Sequence, residues 1–180
     1  MIYLASRSPR RRQILEQCGI EFEILDVAIH EHWNGTETAP DYVRRLALEK
    51  ARAGSELTGK NLPVLAADTE VLVDGTILGK PADKVAAIAM LQRLSGRSHQ
   101  VLTAVALVQR TQTVILSTSV VTFRPLSSAE CAAYCDSGEP YDKAGGYAIQ
   151  GRAAAFVTRL EGSYTGVMGL PRYETAQLLR

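Results

Sequence analysis

The stretch LASRSPRRRQIL, Leu4 to Leu15, passes from an apolar strand-like run into a helix within a few residues. Ser is favoured at the residue before a helix and Pro at its first position, so Ser8 is expected to cap a helix that begins at Pro9. Arg10, Arg11 and Arg12 then fall in the first turn. The positive end of the helix dipole and N–H groups without partners lie there, so each added cation is unfavourable by roughly 0.3–1 kcal/mol. Such a turn is balanced when something anionic meets it, and a strand followed by a charged helix start points to an α/β fold with a ligand site at the junction.

The same alternation continues along the chain. Ile2 to Ser6 reads as a strand, Pro9 to Cys18 as a helix stopped at Gly19, and Phe22 to Ile29 as a second strand. Thr38-Ala39-Pro40 opens a second helix with the apolar stripe Val43, Leu46, Ala47 and Ala51; Lys50 lies on that stripe, one heptad after Val43, and an inward lysine needs a partner. Leu62 to Ala67 reads as a strand ending at Asp68, and Val71 to Leu78 as a hairpin turned at Asp74-Gly75. Asp83 to Leu94 is expected to be a helix facing inward through Val85, Ala86, Ala89 and Met90. Val101 to Val108 and Val114 to Phe123 read as two paired strands, and the capping-box spacing Ser127 to Glu130 starts a short helix that ends near Ser137-Gly138. Pro140 to Gly151 is a Gly-rich loop, Ala154 to Leu160 a strand, and Arg172 to Leu179 a closing helix. The hairpins break strict βαβ alternation, so a mixed sheet flanked by helices is expected.

Composition limits the classes open to such a chain. Its 180 residues, 46% of them hydrophobic, suffice for one domain, 1–180, with a substantial core. No run of residues is long and apolar enough for a membrane span, and Met1 leads directly into the first strand pattern, which argues against a secretory leader and for a cytoplasmic protein. Cys18, Cys131 and Cys135 form an odd set that fits a reducing compartment; Cys131 and Cys135, four apart on an expected helix, read as buried or half-buried thiols because no second Cys/His pair completes a metal site. A formal net charge of +1 argues against a general nucleic-acid binder, and no aromatic stacking platform accompanies the arginines. The anion expected at Arg10 and Arg11 is therefore small.

The unusual polar residues cluster at the ends of the expected strands: Ser6 to Arg12, Asp68-Thr69, Gly79-Lys80 and the loop Tyr141 to Gln150. Ligands of open α/β sheets bind beyond strand ends. Arg10, Arg11, Lys50 and Lys80 suit a polyphosphate, because the arginine fork matches phosphate oxygens while lysine supplies a compact charge. N–H groups after Ser8 add neutral donors. Asp68 is the candidate general base for a water molecule, with a strand-end turn cap as the plain alternative. Thr69 and Gln150 read by themselves as ordinary loop residues, although each offers hydrogen bonds that could meet the carbonyl and N–H edge of a uracil-type base. His30 and His32 read as exposed, and His99 as part of a strand start.

LASRSPRRRQIL, RLALEKARA (45–53), AADTEVLVDG (66–75) with GKP (79–81), LSGRSHQVLTAVAL (94–107), EPYDKAGGYAIQG (139–151), GSY (162–164) and GLP (169–171) together resemble the Maf family of nucleotide pyrophosphatases from the first strand to the last helix. The resemblance implies an elongated α/β fold with a central cleft, related to inosine triphosphate pyrophosphatase, and hydrolysis of a nucleoside triphosphate to the monophosphate and pyrophosphate. Arg10, Thr69 and Gln150 match the branch linked to dTTP and UTP, whereas the sister branch, linked to 7-methyl-GTP, carries tryptophan, glutamine and glutamate there. The resemblance also implies a divalent cation, Mg²⁺ or Mn²⁺, held by Glu31 and Asp68, and a homodimer. Arg7 and His30 depart from the family's usual residues. A non-catalytic nucleotide-binding regulator of septum formation is the competing reading attached to the family, and an RNA-binding surface over Arg7 to Arg12 a third.

Overall fold

The computed structural model describes residues 1–59 and 62–180. Its strands are β1 (Ile2–Leu4), β2 (Phe22–Ile24), β3 (Val64–Val73), β4 (Thr76–Leu78), β5 (Ser98–Val108), β6 (Gln112–Phe123) and β7 (Val157–Glu161). Its helices are α1 (Pro9–Gln17), α2 (Ala39–Leu57), α3 (Lys84–Leu94), α4 (Ser128–Asp136), α5 (Tyr164–Met168) and α6 (Arg172–Leu178), with short 3₁₀ turns at Ala144–Gly146 and Arg152–Phe156. The sheet order is β2-β1-β3-β5-β6-β7, with β4 on β3. Parallel β1–β2 and β1–β3 pairs and antiparallel β3–β4 and β6–β7 pairs make it the mixed sheet expected from the sequence.

The chain forms two compact units, one of residues 1–69, 103–117 and 169–180, the other of residues 70–102 and 118–168. In the first, α1 buries Ile14 and Leu15, and α2 buries Tyr42, Val43, Leu46, Ala47 and Ala51. Gly54 lets α2 approach β3: a Cβ there would lie 2.9 Å from Val64 Cγ1. The N-caps follow the expected chemistry, with Ser8 Oγ accepting from Arg11 N–H at 3.4 Å and Thr38 Oγ1 from Asp41 N–H at 3.3 Å.

In the second unit, Val71, Val73, Leu78, Leu91, Leu94, Val121, Phe123 and Tyr134 belong to one core cluster. The β3–β4 turn has Asp74 at φ 48° and Gly75 at φ 72°, the left-handed pair that a tight hairpin demands. Ser127 and Glu130 form the reciprocal capping box of α4.

Several expectations are corrected. Strand β3 does not stop at Asp68 but continues to Val73, so Asp68 and Thr69 lie within a strand. Strand β2 is only Phe22–Ile24, and the segment to Ile29 is irregular. Helix α3 faces inward through Ala87, Leu91 and Leu94, while Val85 is 77% exposed. Ala154 opens no strand; a 3₁₀ turn precedes β7, and α5 joins the elements as an unexpected short helix.

Candidate functional site

The long α2 helix carries Lys50 to the middle of β3. Its ammonium lies 2.6 Å from Asp68 Oδ1 and 2.6 Å from Glu31 Oε1, so one cation joins two carboxylates. Asp68 is 5% exposed. Its second oxygen, Oδ2, is buried and meets no hydrogen-bond donor among the described residues. A buried carboxylate oxygen without a donor is costly.

Glu31 reaches Lys50 from the irregular segment after β2, which Arg45 fastens to α2. Arg45 donates to Glu37 Oε1 at 2.6 Å, to His32 O at 2.9 Å and to Glu49 Oε1 at 3.1 Å. The hydrogen bonds to Glu37, foremost, and to Glu49 push the Arg45 pKa up, and the bond from Arg45 pulls the Glu37 carboxyl down. Arg45 is a residue the sequence reading missed; it lies next to the apolar stripe of α2, and an arginine there reads as a solvated edge.

Arg11 answers the question posed by the charged helix start. Each of its three nitrogens makes a hydrogen bond: Nε donates to Gly169 O at 2.8 Å, Nη1 to Ser6 Oγ at 3.2 Å and Nη2 to Thr69 Oγ1 at 3.2 Å. Burial lowers the Arg11 pKa; the charges of Asp68 and Glu31 raise it, and that of Arg10 lowers it further. Asp68 and Glu31 thus lie close enough to act on the Arg11 charge. Thr69 Oγ1 also meets Thr103 Oγ1 at 3.0 Å. Gly169, at φ 113°, is fitted to this corner, since a Cβ there would lie 3.4 Å from Arg11 Nε.

The first unit therefore brings together Ser8, Arg10, Arg11, Glu31, Lys50, Asp68 and Thr69, residues far apart in sequence. Lys80 and Gln150 belong to the second unit, Lys80 exposed just after β4 and Gln150 exposed near the end of the Gly-rich loop. That loop is tied to its own unit: Gly145 N–H donates to Gly79 O at 3.1 Å, and Lys143 Nζ to Glu139 O at 2.6 Å. Gly145, at φ 71°, lies against Val71, whose Cγ2 would be 2.8 Å from an added Cβ.

The histidines fall outside this cluster. His30 and His32 are exposed and stacked, with centroids 5.8 Å apart, and His99 is buried at the start of β5 with Nε2 at 2.8 Å from the Tyr147 hydroxyl. Arg7 leans outward onto Asp26. Among the described residues no group of three or more His, Cys, Asp and Glu could hold a metal, and no helix is long and apolar enough to cross a membrane.

The donor set nonetheless fits a hard divalent cation bound largely by water and phosphate. Glu31 and Asp68 converge on one ammonium, and Asp68 Oδ2 meets no donor among the described residues. Arg11 and Arg10 beside it provide for an anion.

The Maf-like protein family matches residues 1–180. The dTTP/UTP pyrophosphatase of Alkalilimnicola ehrlichii is 52% identical over 183 residues, covering 99% of this chain and 91% of that protein. A nucleoside triphosphate pyrophosphatase of Xylella fastidiosa is 54% identical over 183 residues, covering 99% of this chain and 97% of that protein. Among solved structures, a nucleoside-triphosphatase / dITP/XTP pyrophosphatase of Mycobacterium abscessus aligns with TM-score 0.46 and 24% identity over 69% of this chain and 75% of that one.

Proposed function

This chain belongs to the Maf-like protein family, and from that premise we propose that it is a nucleoside triphosphate pyrophosphatase that hydrolyses dTTP and UTP to the monophosphate and pyrophosphate. The relatives of about half identity support the substrate class. One observation carries the chemistry: a buried Asp68 whose Oδ1 is on Lys50 and whose Oδ2 is unclaimed.

In this reading Asp68 accepts a proton from a water molecule as the water oxygen bonds to the α-phosphorus. The bond from that phosphorus to the bridging oxygen breaks, and pyrophosphate leaves with the electron pair. Asp68 returns the proton to solvent. Lys50 keeps the Asp68 carboxylate in one orientation, and Arg10, Arg11 and Lys80 offset the charge of the phosphates, assisted by N–H groups of the turn capped by Ser8. Thr69 and Gln150 read the base. Glu31 and Asp68 would hold the divalent cation, Mg²⁺ or Mn²⁺, which would supply positive charge against that of the phosphates. Residues 1–180 act as one catalytic domain, and the odd set of free cysteines supports a reducing, cytoplasmic setting. A homodimer remains part of the reading.

The test is pyrophosphate release from a panel of canonical and modified triphosphates with Mg²⁺ or Mn²⁺. Asp68→Asn is expected to lower kcat by at least about 10²-fold while nucleotide binding persists. Binding without pyrophosphate release by the wild-type chain would make it a regulator instead, and a preference for 7-methyl-GTP would place it with the sister branch.

A further inference from the structure

The exposed Gln150 stands on a turn that one carboxylate holds at both ends. Gly151 N–H donates to Ala148 O at 3.0 Å, closing a turn over residues 148–151. At its entrance Ala148 N–H donates to the Tyr134 hydroxyl oxygen at 3.1 Å, and that hydroxyl donates to Glu139 Oε1 at 2.8 Å. At its exit Arg152 N–H donates to Glu139 Oε2 at 3.1 Å. Gly151 lies directly on the carboxylate: a Cβ there would come within 2.3 Å of Oε1 and 2.5 Å of Oε2.

The holder is itself held. Glu139 N–H donates to Ser137 Oγ at 3.3 Å, and Glu139 O accepts from Lys143 Nζ at 2.6 Å. Tyr134 is 4% exposed, with its ring edge-on to Phe156 at 5.2 Å. Burial and the bond to Glu139 push the Tyr134 pKa up, so its hydroxyl remains a donor.

From this geometry we propose that Glu139, with Tyr134, is the positioning pair for Gln150 and thereby sets base selectivity. The inference rests on the reading of Gln150 as a base-contacting residue. A glutamine amide exchanges donor and acceptor by a half-turn of its terminal bond, so a loosely held one pairs with uracil and cytosine alike. Discrimination requires the amide to be presented from a fixed place, and the Glu139 carboxylate, accepting directly from Arg152 N–H and through the Tyr134 hydroxyl from Ala148 N–H, fixes the backbone that carries Gln150.

The experiment measures kcat and KM for UTP and CTP with the full chain and its Gln150→Ala, Tyr134→Phe, Glu139→Ala and Glu139→Gln variants, together with Glu139→Ala/Gln150→Ala. The UTP:CTP ratio of kcat/KM is expected to fall at least about tenfold in Gln150→Ala, and toward the same value in Tyr134→Phe and Glu139→Ala, with KM for UTP changing more than kcat. Glu139→Gln is expected to fall between, because its amide oxygen still accepts from Arg152 N–H while its NH₂ donates to the Tyr134 oxygen. The double variant is expected to lose no further selectivity, the signature of action through Gln150. If Gln150→Ala alters the ratio but Tyr134→Phe, which keeps the packed ring, does not, the positioning role is wrong and the base contact stands. An additive loss in the double variant overturns it as well. If Gln150→Ala leaves the ratio intact, the base-contact reading fails and the inference falls with it.

Discussion

Lys50 Nζ lies 2.6 Å from Asp68 Oδ1, and the two side chains are only 13% and 7% exposed. A pair so enclosed is costly to break from one side, because the remaining charge keeps its desolvation penalty without its partner. Lys50→Met is therefore expected to lower stability by about 3 kcal/mol and kcat by at least about 10²-fold. Urea denaturation and pyrophosphate release measured on the same preparation check both. Wild-type turnover in a folded Lys50→Met chain would remove the ammonium from the reaction.

Arg11 spends its three nitrogens on Gly169 O, Ser6 Oγ and Thr69 Oγ1. Lysine keeps the charge but cannot reproduce a planar fork, so Arg11→Lys is expected to weaken triphosphate binding by about 10-fold or more. Gly169→Ala acts on the same corner from outside: its φ of 113° disfavours a side chain, and the new Cβ would lie 3.4 Å from Arg11 Nε. Isothermal titration with a non-hydrolysable UTP analogue is expected to show both losses. Equal affinity in Gly169→Ala would mean that the guanidinium does not depend on this wall.

What could be read in advance follows from how strongly each residue contrasts with its neighbours. Ser8-Pro9 fixes the start of α1, and Lys50 betrays its inward face because a charge recurs where Val43 and Ala47 set an apolar stripe. The polar run Asp68-Thr69-Glu70 hid the continuity of β3, since alternation is lost exactly where long-range partners, Lys50 and Arg11, replace apolar packing. Helix α3 misled differently: its run of small and apolar residues has little contrast between faces, and the stripe Ala87–Leu91–Leu94 lies roughly 140° around the helix from the expected one. Arg45 and Glu139 escaped notice because their partners, Glu37 and the 148–152 backbone, are set by tertiary folding.

Cys131 and Cys135 are 0% and 1% exposed in the core of the second unit, and burial pushes both thiols up, whereas Cys18 is half-buried at the end of α1. Reaction with an aromatic disulfide requires an accessible thiolate. The native chain at pH 8 is expected to titrate Cys18 first, with Cys131 and Cys135 reacting at least about 10²-fold more slowly, at the rate of opening of their unit. Mass spectrometry of the labelled peptides distinguishes the sites. Early modification of Cys131 would contradict the packing of α4.

His99 ties the stability of the fold to pH on the acid side. Its ring is buried between Phe123 and Tyr147, edge-on to each at 5.1 and 5.4 Å, and burial pushes its pKa down to about 4 from the usual 6.5. Above the unfolded value both states hold the ring neutral and the linkage vanishes. As pH falls from 6.5 toward 4, the unfolded chain takes up a proton that the folded chain refuses, so stability falls with acidification across that window and levels off below it. The difference corresponds to about 3 kcal/mol at its full extent. Urea midpoints between pH 7 and pH 4 are expected to follow this slope, and His99→Gln, with no titrating ring, is expected to flatten it even though its stability at pH 7 is lower for want of the aromatic packing. An unchanged slope in that variant would assign the acid sensitivity to the carboxylates.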